Sequence, residues 1–260
     1  MVIKHFVITR FLSEDFGHSK EDMFSEEWIS KGIHMLKKHF IPTLENQTNH
    51  NFENIIIIHD EVPMERIKEL YSLESFIKCN IVRNSNIDDF INKYKDKCDV
   101  MITSRFDWDD NINKCVVDDI QNFIISNPNK FILYGLNNGC TIIDGETEAF
   151  FKPKIRCENT KCGFWSAMIT YSMPNSLCER FYNVYDIGNH TMIINNIREN
   201  YNTFGIKDIS NLIVHMDDSE EIKYLWVRHD FSESVMRSNS WHSSNDFVKL
   251  NLSEDFAYNV

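Results

Sequence analysis

Four short apolar runs, each ending in polar or charged side chains, are spaced along the first part of the chain. They cover residues 5–11, 54–60, 77–83 and 98–106. Three segments with apolar residues at helical spacing lie between them, at 26–48, 64–76 and 87–94. Runs that are apolar throughout are typical of strands buried on both faces of a parallel sheet, and helical spacing indicates the connecting helices. Within the first helix, Pro42 predicts a bend or an end.

This alternation predicts an α/β fold, with a mostly parallel, Rossmann-like sheet flanked by helices in a single domain. Further helices are predicted at 112–126, 176–185 and 190–201, and further strands or apolar runs at 130–135, 163–171, 212–216 and 224–229. A hairpin or edge segment is predicted over 141–154. We expect one domain over residues 1–231, followed by a polar C-terminal tail over 232–260 that wraps the domain or stays mobile.

Three carboxylates follow the fourth apolar run, at Asp107, Asp109 and Asp110, directly after Arg105. Placing them together is costly unless a positive charge lies between them, and Mg²⁺ or Mn²⁺ would supply it through oxygen ligands. A solvated acidic turn, or an Asp cap before the next helix, explains the same residues without a ligand. In a parallel sheet, ligands bind beyond the carboxyl ends of the strands. The residues predicted to share that edge are Thr9, Arg10, Asp60, Arg83, Arg105 and the three aspartates.

The composition excludes some classes of partner. The chain has 260 residues and a net charge of −12, without a cluster of Lys or Arg, so we expect no nucleic-acid partner. Seven scattered cysteines indicate reduced core residues rather than a disulfide framework, and a zinc site at Cys157 and Cys162 lacks a second pair. Lys4, His5 and Arg10 interrupt any N-terminal signal peptide. We therefore expect a cytoplasmic protein without a transmembrane segment, while peripheral membrane contact stays open.

A resemblance to a known family rests on the order of several segments. They are HFVITRF at 5–11, LENQT at 44–48, IIIIHD at 55–60, TSRFDWDD at 103–110 and LWVRHD at 225–230. In this order the chain resembles the putative rhamnosyltransferase family, which is similar to the nucleotide-sugar glycosyltransferases of the GT-A fold. The resemblance implies an enzyme that moves a hexosyl unit, such as rhamnose, from a dTDP-, UDP- or GDP-linked donor to a hydroxyl of a glycan or other acceptor. It also implies a Mn²⁺ or Mg²⁺ cofactor and an inverting reaction.

The resemblance also implies roles for individual residues. Asp107 and Asp109 match the DxD metal motif, and His229 matches a late histidine that completes the metal site. Arg105 is placed to neutralise the diphosphate, Asp110 to bind the ribose or sugar, and Asp60 to contact the nucleobase. Thr9 and Arg10 match the neighbouring edge of the first strand. His229 also fits a histidine that caps a strand, without any metal.

The general base is the point where the sequence departs from the commoner glycosyltransferase pattern. Asn189 and His190 stand where an acidic pair is expected, with Asp186 just before them. A histidine can act as a base, so His190 and Asp186 are the catalytic candidates, although His190 also fits an ordinary first-turn helix residue. Two other functions stay open. One is a carbohydrate-binding or scaffold protein without turnover, and the other is a sugar nucleotidyltransferase, against which the lack of a glycine-rich phosphate loop counts.

Overall fold

The computed structural model describes residues 1–12, 19–75, 78–143, 149–151, 167–190, 192–228, 247–248 and 252–258. Its strands are β1 (Ile3–Leu12), β2 (Glu53–Ile58), β3 (Cys79–Arg83), β4 (Val100–Phe106), β5 (Asn111–Ile112), β6 (Phe131–Leu136), β7 (Gly139–Ile143), β8 (Ala149–Phe151), β9 (Met168–Pro174), β10 (Leu212–Asp217), β11 (Tyr224–Arg228) and β12 (Phe247–Val248). Its α-helices are α1 (Lys20–Met23), α2 (Glu26–Met35), α3 (Ile41–Glu45), α4 (Ile87–Asn92), α5 (Val116–Ile125), α6 (Ile193–Glu199) and α7 (Leu252–Asp255).

The central sheet has seven strands in the order β3-β2-β1-β4-β9-β6-β10. All neighbouring pairs are parallel except those made by β9, which is antiparallel to both β4 and β6. A smaller sheet, in the order β12-β8-β7-β11-β5, begins beside the end of β4. The prediction of an α/β fold with a mostly parallel sheet is therefore confirmed. The predicted hairpin is also present, because β7 and β8 pair antiparallel.

The apolar core lies on both faces of the central sheet. The isoleucines of β2 alternate between the two faces, with Ile55 and Ile57 in one core cluster and Ile56 and Ile58 in the other. None of the four is more than 2% exposed. A run of apolar residues without alternation therefore identified a strand that is covered on both sides.

The predicted first long helix is a continuous helical segment that changes geometry before Pro42. After α2, residues Leu36–Phe40 form a π-helical turn, and Pro42 lies in the first turn of α3. Proline lacks the N–H that an α-helix would bond to the carbonyl four residues earlier, and its ring crowds that carbonyl. The helical segment does not end at Pro42, and the change of geometry lies in the wider π turn just before it.

Two predicted helices are wrong. Residues Met64–Arg66 and Leu70–Ser75 form 3₁₀ turns. The buried side chains Ile67, Leu70 and Leu73 recur every three residues, a spacing that fits the 3₁₀ period as well as an α-helical turn. Between 176 and 185 the chain forms only short 3₁₀ turns, at Asn175–Leu177 and Val184–Ile187. There the backbone of Phe181 bonds the Asn92 side chain of α4 in both directions, which prevents helical pairing.

Two other helices begin later than predicted. Residues 111–112 pair with β11 as strand β5, so α5 starts at Val116. Helix α6 starts at Ile193, three residues after His190.

The end of the chain packs against the start of the smaller sheet. Phe256 and Tyr258 are each 1% exposed, and the Tyr258 ring stacks on His39 with ring centroids 5.5 Å apart. The Asn111 side-chain amide donates a hydrogen bond to the Phe256 carbonyl at 3.0 Å. The Lys114 N–H donates to the Asp255 carbonyl at 2.8 Å. Residues 252–258 thus hold the segment that follows the acidic cluster.

Asn111→Ala should lower the free energy of unfolding by about 1–3 kcal/mol, because it leaves the buried Phe256 carbonyl without its donor. Urea unfolding followed by circular dichroism would measure this. Asn200→Ala is the matched control, since its amide makes only an exposed bond within one helical turn, to the Asn196 carbonyl. Equal losses in the two variants would contradict the assigned contact.

In the part of the chain that the structure describes, no helix is both long enough and apolar enough to cross a membrane. The described cysteines are all free thiols, and four of the five are buried. Cys157 and Cys162 lie outside the described residues.

Candidate functional site

The candidate site lies where β1 and β4 end side by side. The two strands are parallel with Ile8 opposite Arg105, so Arg10 extends from the same edge of the sheet. The Asp107 carboxylate lies 3.4 Å from Nε of Arg105. The Thr9 hydroxyl is fully buried and has no hydrogen-bond partner among the described residues. The structure therefore brings together Arg10, Arg105 and Asp107 at the predicted edge.

The acidic cluster forms a tight turn between β4 and β5. The Asp110 N–H donates to the Asp107 carbonyl at 3.3 Å, which closes the turn. Trp108 packs edge-on against Phe11 of β1, with centroids 6.0 Å apart. This contact fixes the turn against the end of the first strand. The side chains of Asp107 and Asp109 are left half-buried, where a ligand can reach them.

Asp110 differs from the other two aspartates. It is 1% exposed, and its Oδ1 accepts a hydrogen bond from the Val227 N–H of β11 at 3.2 Å. This contact joins the acidic turn to the smaller sheet. The predicted contact of Asp110 with a ribose or sugar stays a prediction, and the structure gives this carboxylate a structural contact as well.

Tyr185, which no sequence feature indicated, joins the site from the 3₁₀ turn Val184–Ile187. Its ring centroid lies 4.2 Å from the guanidinium carbon of Arg10 and 5.2 Å from that of Arg105. Its hydroxyl donates to the Ile8 carbonyl at 3.3 Å. No motif surrounds Tyr185, and about 80 residues of sequence separate it from Arg105, so only the tertiary structure reveals the contact.

The charges in this cluster affect one another. Burial lowers the pKa of Arg10, Tyr185 opposes this, and the neighbouring Arg105 lowers the pKa further. Burial also lowers the pKa of Arg105, but Asp107 and Tyr185 oppose this, and the net shift is upward. Burial raises the pKa of Tyr185 to about 12, so its hydroxyl keeps its proton at neutral pH. Two cationic guanidiniums and a neutral phenol therefore face the sheet edge beside Asp107.

Asp60 lies two residues after the end of β2, at the same edge. Its Oδ1 accepts hydrogen bonds from the N–H of Ser85 at 3.0 Å and from the Ser85 hydroxyl at 2.8 Å. The backbone bond from Ser85 lowers the pKa of this exposed carboxylate. Arg83 ties the same turn together by donating to the carbonyls of His59 and Asp60. The turn is thus held from β3, and the Asp60 carboxylate is exposed beside it.

The two predicted catalytic residues occupy different surroundings. Both carboxylate oxygens of Asp186 accept hydrogen bonds from Asn183, one from its N–H at 3.0 Å and one from its amide at 2.8 Å. This is a capping box at the start of the 3₁₀ turn. Burial of the carboxyl group and the nearby Asp88 raise the pKa of Asp186. His190 lies half-buried in the turn before α6. Their catalytic roles stay predictions.

A metal would have to be held mainly by the acidic turn. No group of three or more His, Cys, Asp or Glu side chains suited to a metal occurs among the described residues. His229, the third predicted ligand, lies outside them. Asp107 and Asp109 offer two half-buried carboxylates, and Mg²⁺ or Mn²⁺ is commonly bound by one or two carboxylates with water and phosphate completing the shell. The donor set therefore fits such an ion.

Several solved structures resemble this fold. The crystal structure of S. aureus TarS 1-349 is 12% identical with a TM-score of 0.45, and the match covers 86% of this chain and 60% of that one. The same protein in complex with UDP-GlcNAc is 14% identical with a TM-score of 0.41, covering 87% and 59%. The longer TarS structure is 12% identical with a TM-score of 0.42, covering 88% and 37%. This chain therefore spans three fifths or less of the TarS chains it matches.

No curated protein matches the chain. A family model does, over residues 10–135, a span that begins at Arg10 and includes Asp60, Arg105 and the acidic turn. The predicted resemblance is therefore confirmed for this part of the chain, which matches the family described as "Putative rhamnosyl transferase".

Proposed function

We propose that the protein is a glycosyltransferase that binds a nucleoside-diphosphate sugar at the edge formed by β1 and β4. The observation that carries the proposal is the meeting of Arg10, Arg105 and Asp107 at this edge, within the span of the family match. Guanidinium groups bind phosphate oxygens through a planar fork of N–H donors. The donor is a dTDP-, UDP- or GDP-linked hexose such as rhamnose, the acceptor is a hydroxyl group, and the reaction takes place in the cytoplasm.

The residues at the ends of β1, β2 and β4 bind different parts of the donor. Arg10 and Arg105 bind the diphosphate and Asp60 contacts the nucleoside, while the buried Thr9 supports the end of β1 beside Arg10. Asp107 and Asp109 hold Mn²⁺ or Mg²⁺, with His229 as the third ligand. When bound, the metal supplies positive charge to the leaving diphosphate. Because the arginines lie in a partly buried site, their charge is less screened than it would be in water.

The reaction is proposed to invert the sugar by a single displacement. The acceptor hydroxyl must then lose its proton to a base within hydrogen-bond reach. His190 is the better candidate, because both oxygens of Asp186 already accept hydrogen bonds from Asn183. Imidazole also has an ordinary pKa of about 6.5, which suits proton transfer near neutral pH.

A thermal-shift panel would test donor binding. The wild type and Asp109→Asn are each heated with dTDP, UDP or GDP, with and without Mn²⁺. A diphosphate present at a hundred times its dissociation constant should stabilise the wild type by about 2.7 kcal/mol. We expect one diphosphate to do so only with Mn²⁺, and Asp109→Asn to lose the effect, because a carboxamide is a poor ligand for the cation.

Asp96→Asn is the matched control for this panel. Asp96 is an exposed carboxylate just before β4 begins at Val100, at the opposite edge of the sheet from the acidic turn. It should respond as the wild type does. If no diphosphate shifts the wild type under any condition, the donor site is wrong. If a diphosphate raises the melting temperature without metal, and does so in Asp109→Asn as well, the donor site is supported but the proposed metal is not.

A further inference from the structure

The position of Tyr185 between two arginines points to a role that the proposed function does not yet assign. The ring lies within 4.2 Å of the Arg10 guanidinium carbon and 5.2 Å of that of Arg105. Both distances fall within the range of a cation–π contact, in which the negative face of the ring attracts the cation. One aromatic side chain thus contacts both positive groups at the end of β1 and β4.

Tyr185 is itself held at both ends. Its N–H donates to the Asn183 side chain at 2.9 Å, inside the capping box, and its hydroxyl donates to the Ile8 carbonyl of β1 at 3.3 Å. Its neighbours Val184 and Ile187 are each 1% exposed and pack in the core on that face of the sheet. The ring is therefore fixed relative to the strand ends, and a fixed ring can fix the side chains that lie against it.

Two guanidinium groups this close to one ring repel each other, as the lowering of the pKa of Arg10 by Arg105 indicates. Flexible arginine side chains would separate unless something held them. The ring face of Tyr185 offsets part of this repulsion, and the Asp107 carboxylate offsets more of it at Arg105. The pair is thereby kept ready for an anion with charge spread over several oxygens, such as a diphosphate.

We propose that Tyr185 is a positioning residue that holds Arg10 and Arg105 as a two-guanidinium clamp for the diphosphate of the donor. The inference rests on the proposed function, since it assigns a partner to the same site. The ring of Tyr185 contacts the two arginines that would bind the diphosphate. Its loss should therefore weaken binding of the diphosphate group and leave binding of the nucleoside unchanged.

Isothermal titration calorimetry on the full chain would test this with three probes. They are inorganic pyrophosphate, the diphosphate among dTDP, UDP and GDP that the wild type binds best, and the matching nucleoside. Tyr185→Met keeps an apolar side chain of useful length but removes the ring, and should weaken pyrophosphate and nucleoside diphosphate about tenfold. The nucleoside should bind it as it binds the wild type. Tyr185→Phe retains the ring but loses the hydroxyl that bonds the Ile8 carbonyl, so it should recover most of the lost affinity, to within about threefold of the wild type.

Tyr182→Met is the matched control. The Tyr182 ring lies 4.6 Å from the guanidinium carbon of Arg180, so this variant also removes an arginine–tyrosine contact, but not one at the strand ends. It should leave the affinity for all three probes unchanged. Circular dichroism would test whether each variant is folded. If Tyr185→Met does not fold, Tyr185→Gln is used in its place.

Three results would overturn the inference, and they are distinguishable. If the wild type binds neither pyrophosphate nor any diphosphate, the proposed function fails and the inference fails with it. If the wild type binds but the ring-less variant binds equally well, only the role of Tyr185 is wrong. If the variant loses nucleoside affinity as much as diphosphate affinity, Tyr185 supports the fold in general and does not position the clamp.

Discussion

Arg105→Ala should weaken binding of the nucleoside diphosphate by about 2–5 kcal/mol, which is a loss of roughly 30-fold or more in affinity. This is the largest effect that we expect of a single substitution on ligand binding. Arg105 has a side chain only 13% exposed, it lies at the end of β4, and its pKa is raised, so it stays cationic. Arg105→Ala therefore removes a charged hydrogen-bond donor from a site where little water can replace it as a partner of the diphosphate.

Arg105→Ala should reduce the affinity for the diphosphate much more than the stability of the fold. Asp107 is 35% exposed, so water can solvate its carboxylate once Arg105 is absent. We therefore expect a small change in the melting temperature and a large change in the dissociation constant. Calorimetric titration of the wild type and the variant with the preferred diphosphate measures the second, and a thermal melt without ligand measures the first.

Two further variants sharpen this comparison. Arg105→Lys retains the charge but not the planar fork or the contact with Tyr185, and should bind with intermediate affinity. Arg180→Ala is the matched control, because Arg180 also lies over a tyrosine and pairs with a carboxylate, Asp88, at 3.0 Å. It should bind as the wild type does. Equal binding by Arg105→Ala and the wild type would exclude Arg105 from the diphosphate site.

The protein should lose about 3 kcal/mol of stability between pH 7 and pH 4 through His5 alone. His5 is 1% exposed on β1, and burial lowers its pKa to about 3. The unfolded chain has a histidine of ordinary pKa, about 6.5, and therefore binds a proton that the folded chain does not. The stabilisation is complete above pH 6.5 and is lost progressively as the pH falls towards 3.

The hydrogen bonds of His5 give this shift a structural basis. Its Nδ1 faces the Gln121 amide nitrogen at 3.1 Å, and its Nε2 faces the Ser104 hydroxyl at 2.8 Å. Because the Gln121 nitrogen is a donor, Nδ1 must accept and the proton must lie on Nε2. Ser104 in turn contacts the Thr170 hydroxyl of β9 at 2.6 Å. A second proton on His5 would lie on Nδ1, where its N–H would face the N–H of the Gln121 amide and the hydrogen bond would be lost.

Urea unfolding from pH 7 to pH 4 would measure the effect in three proteins. His5→Gln retains one acceptor and one donor but does not titrate, and should lose about 3 kcal/mol less than the wild type over this range. Ser104→Ala keeps the buried histidine, so it should be less stable at every pH yet retain the wild-type dependence. The same dependence in His5→Gln and the wild type would show that other groups cause it.

The strands of the central sheet were the most predictable part of the fold. β2 and β4 are buried on both faces, so their apolar runs are continuous and end where the backbone reaches the edge of the sheet. The helices were less predictable. At 64–76 the apolar spacing fits both a 3₁₀ and an α-helical turn, and packing under the sheet decided between them.

Part of the candidate site was likewise predictable from the sequence, and part was not. The alternation of strands and helices was enough to place Arg10, Asp60, Arg105 and Asp107 at one edge, because parallel strands bring their carboxyl ends together. The resemblance assigned Asp107 and Asp109 to the metal and Asp110 to the ribose or sugar, but the sequence did not show how buried each of them is. Only the folded chain separates Asp110, whose carboxylate is buried against β11, from Asp107 and Asp109, which are half-buried.

The sequence by itself determined the alternation of strands and helices along the first part of the chain and the charged residues that follow those strands, since both are local in sequence. The tertiary structure alone decided which distant residues meet there. Tyr185 reaches Arg10 and Arg105 from a turn that carries no motif, and residues 252–258 return to the segment after the acidic turn. Such contacts depend on how separate elements pack in space, and a pattern that is local in sequence contains no record of that packing.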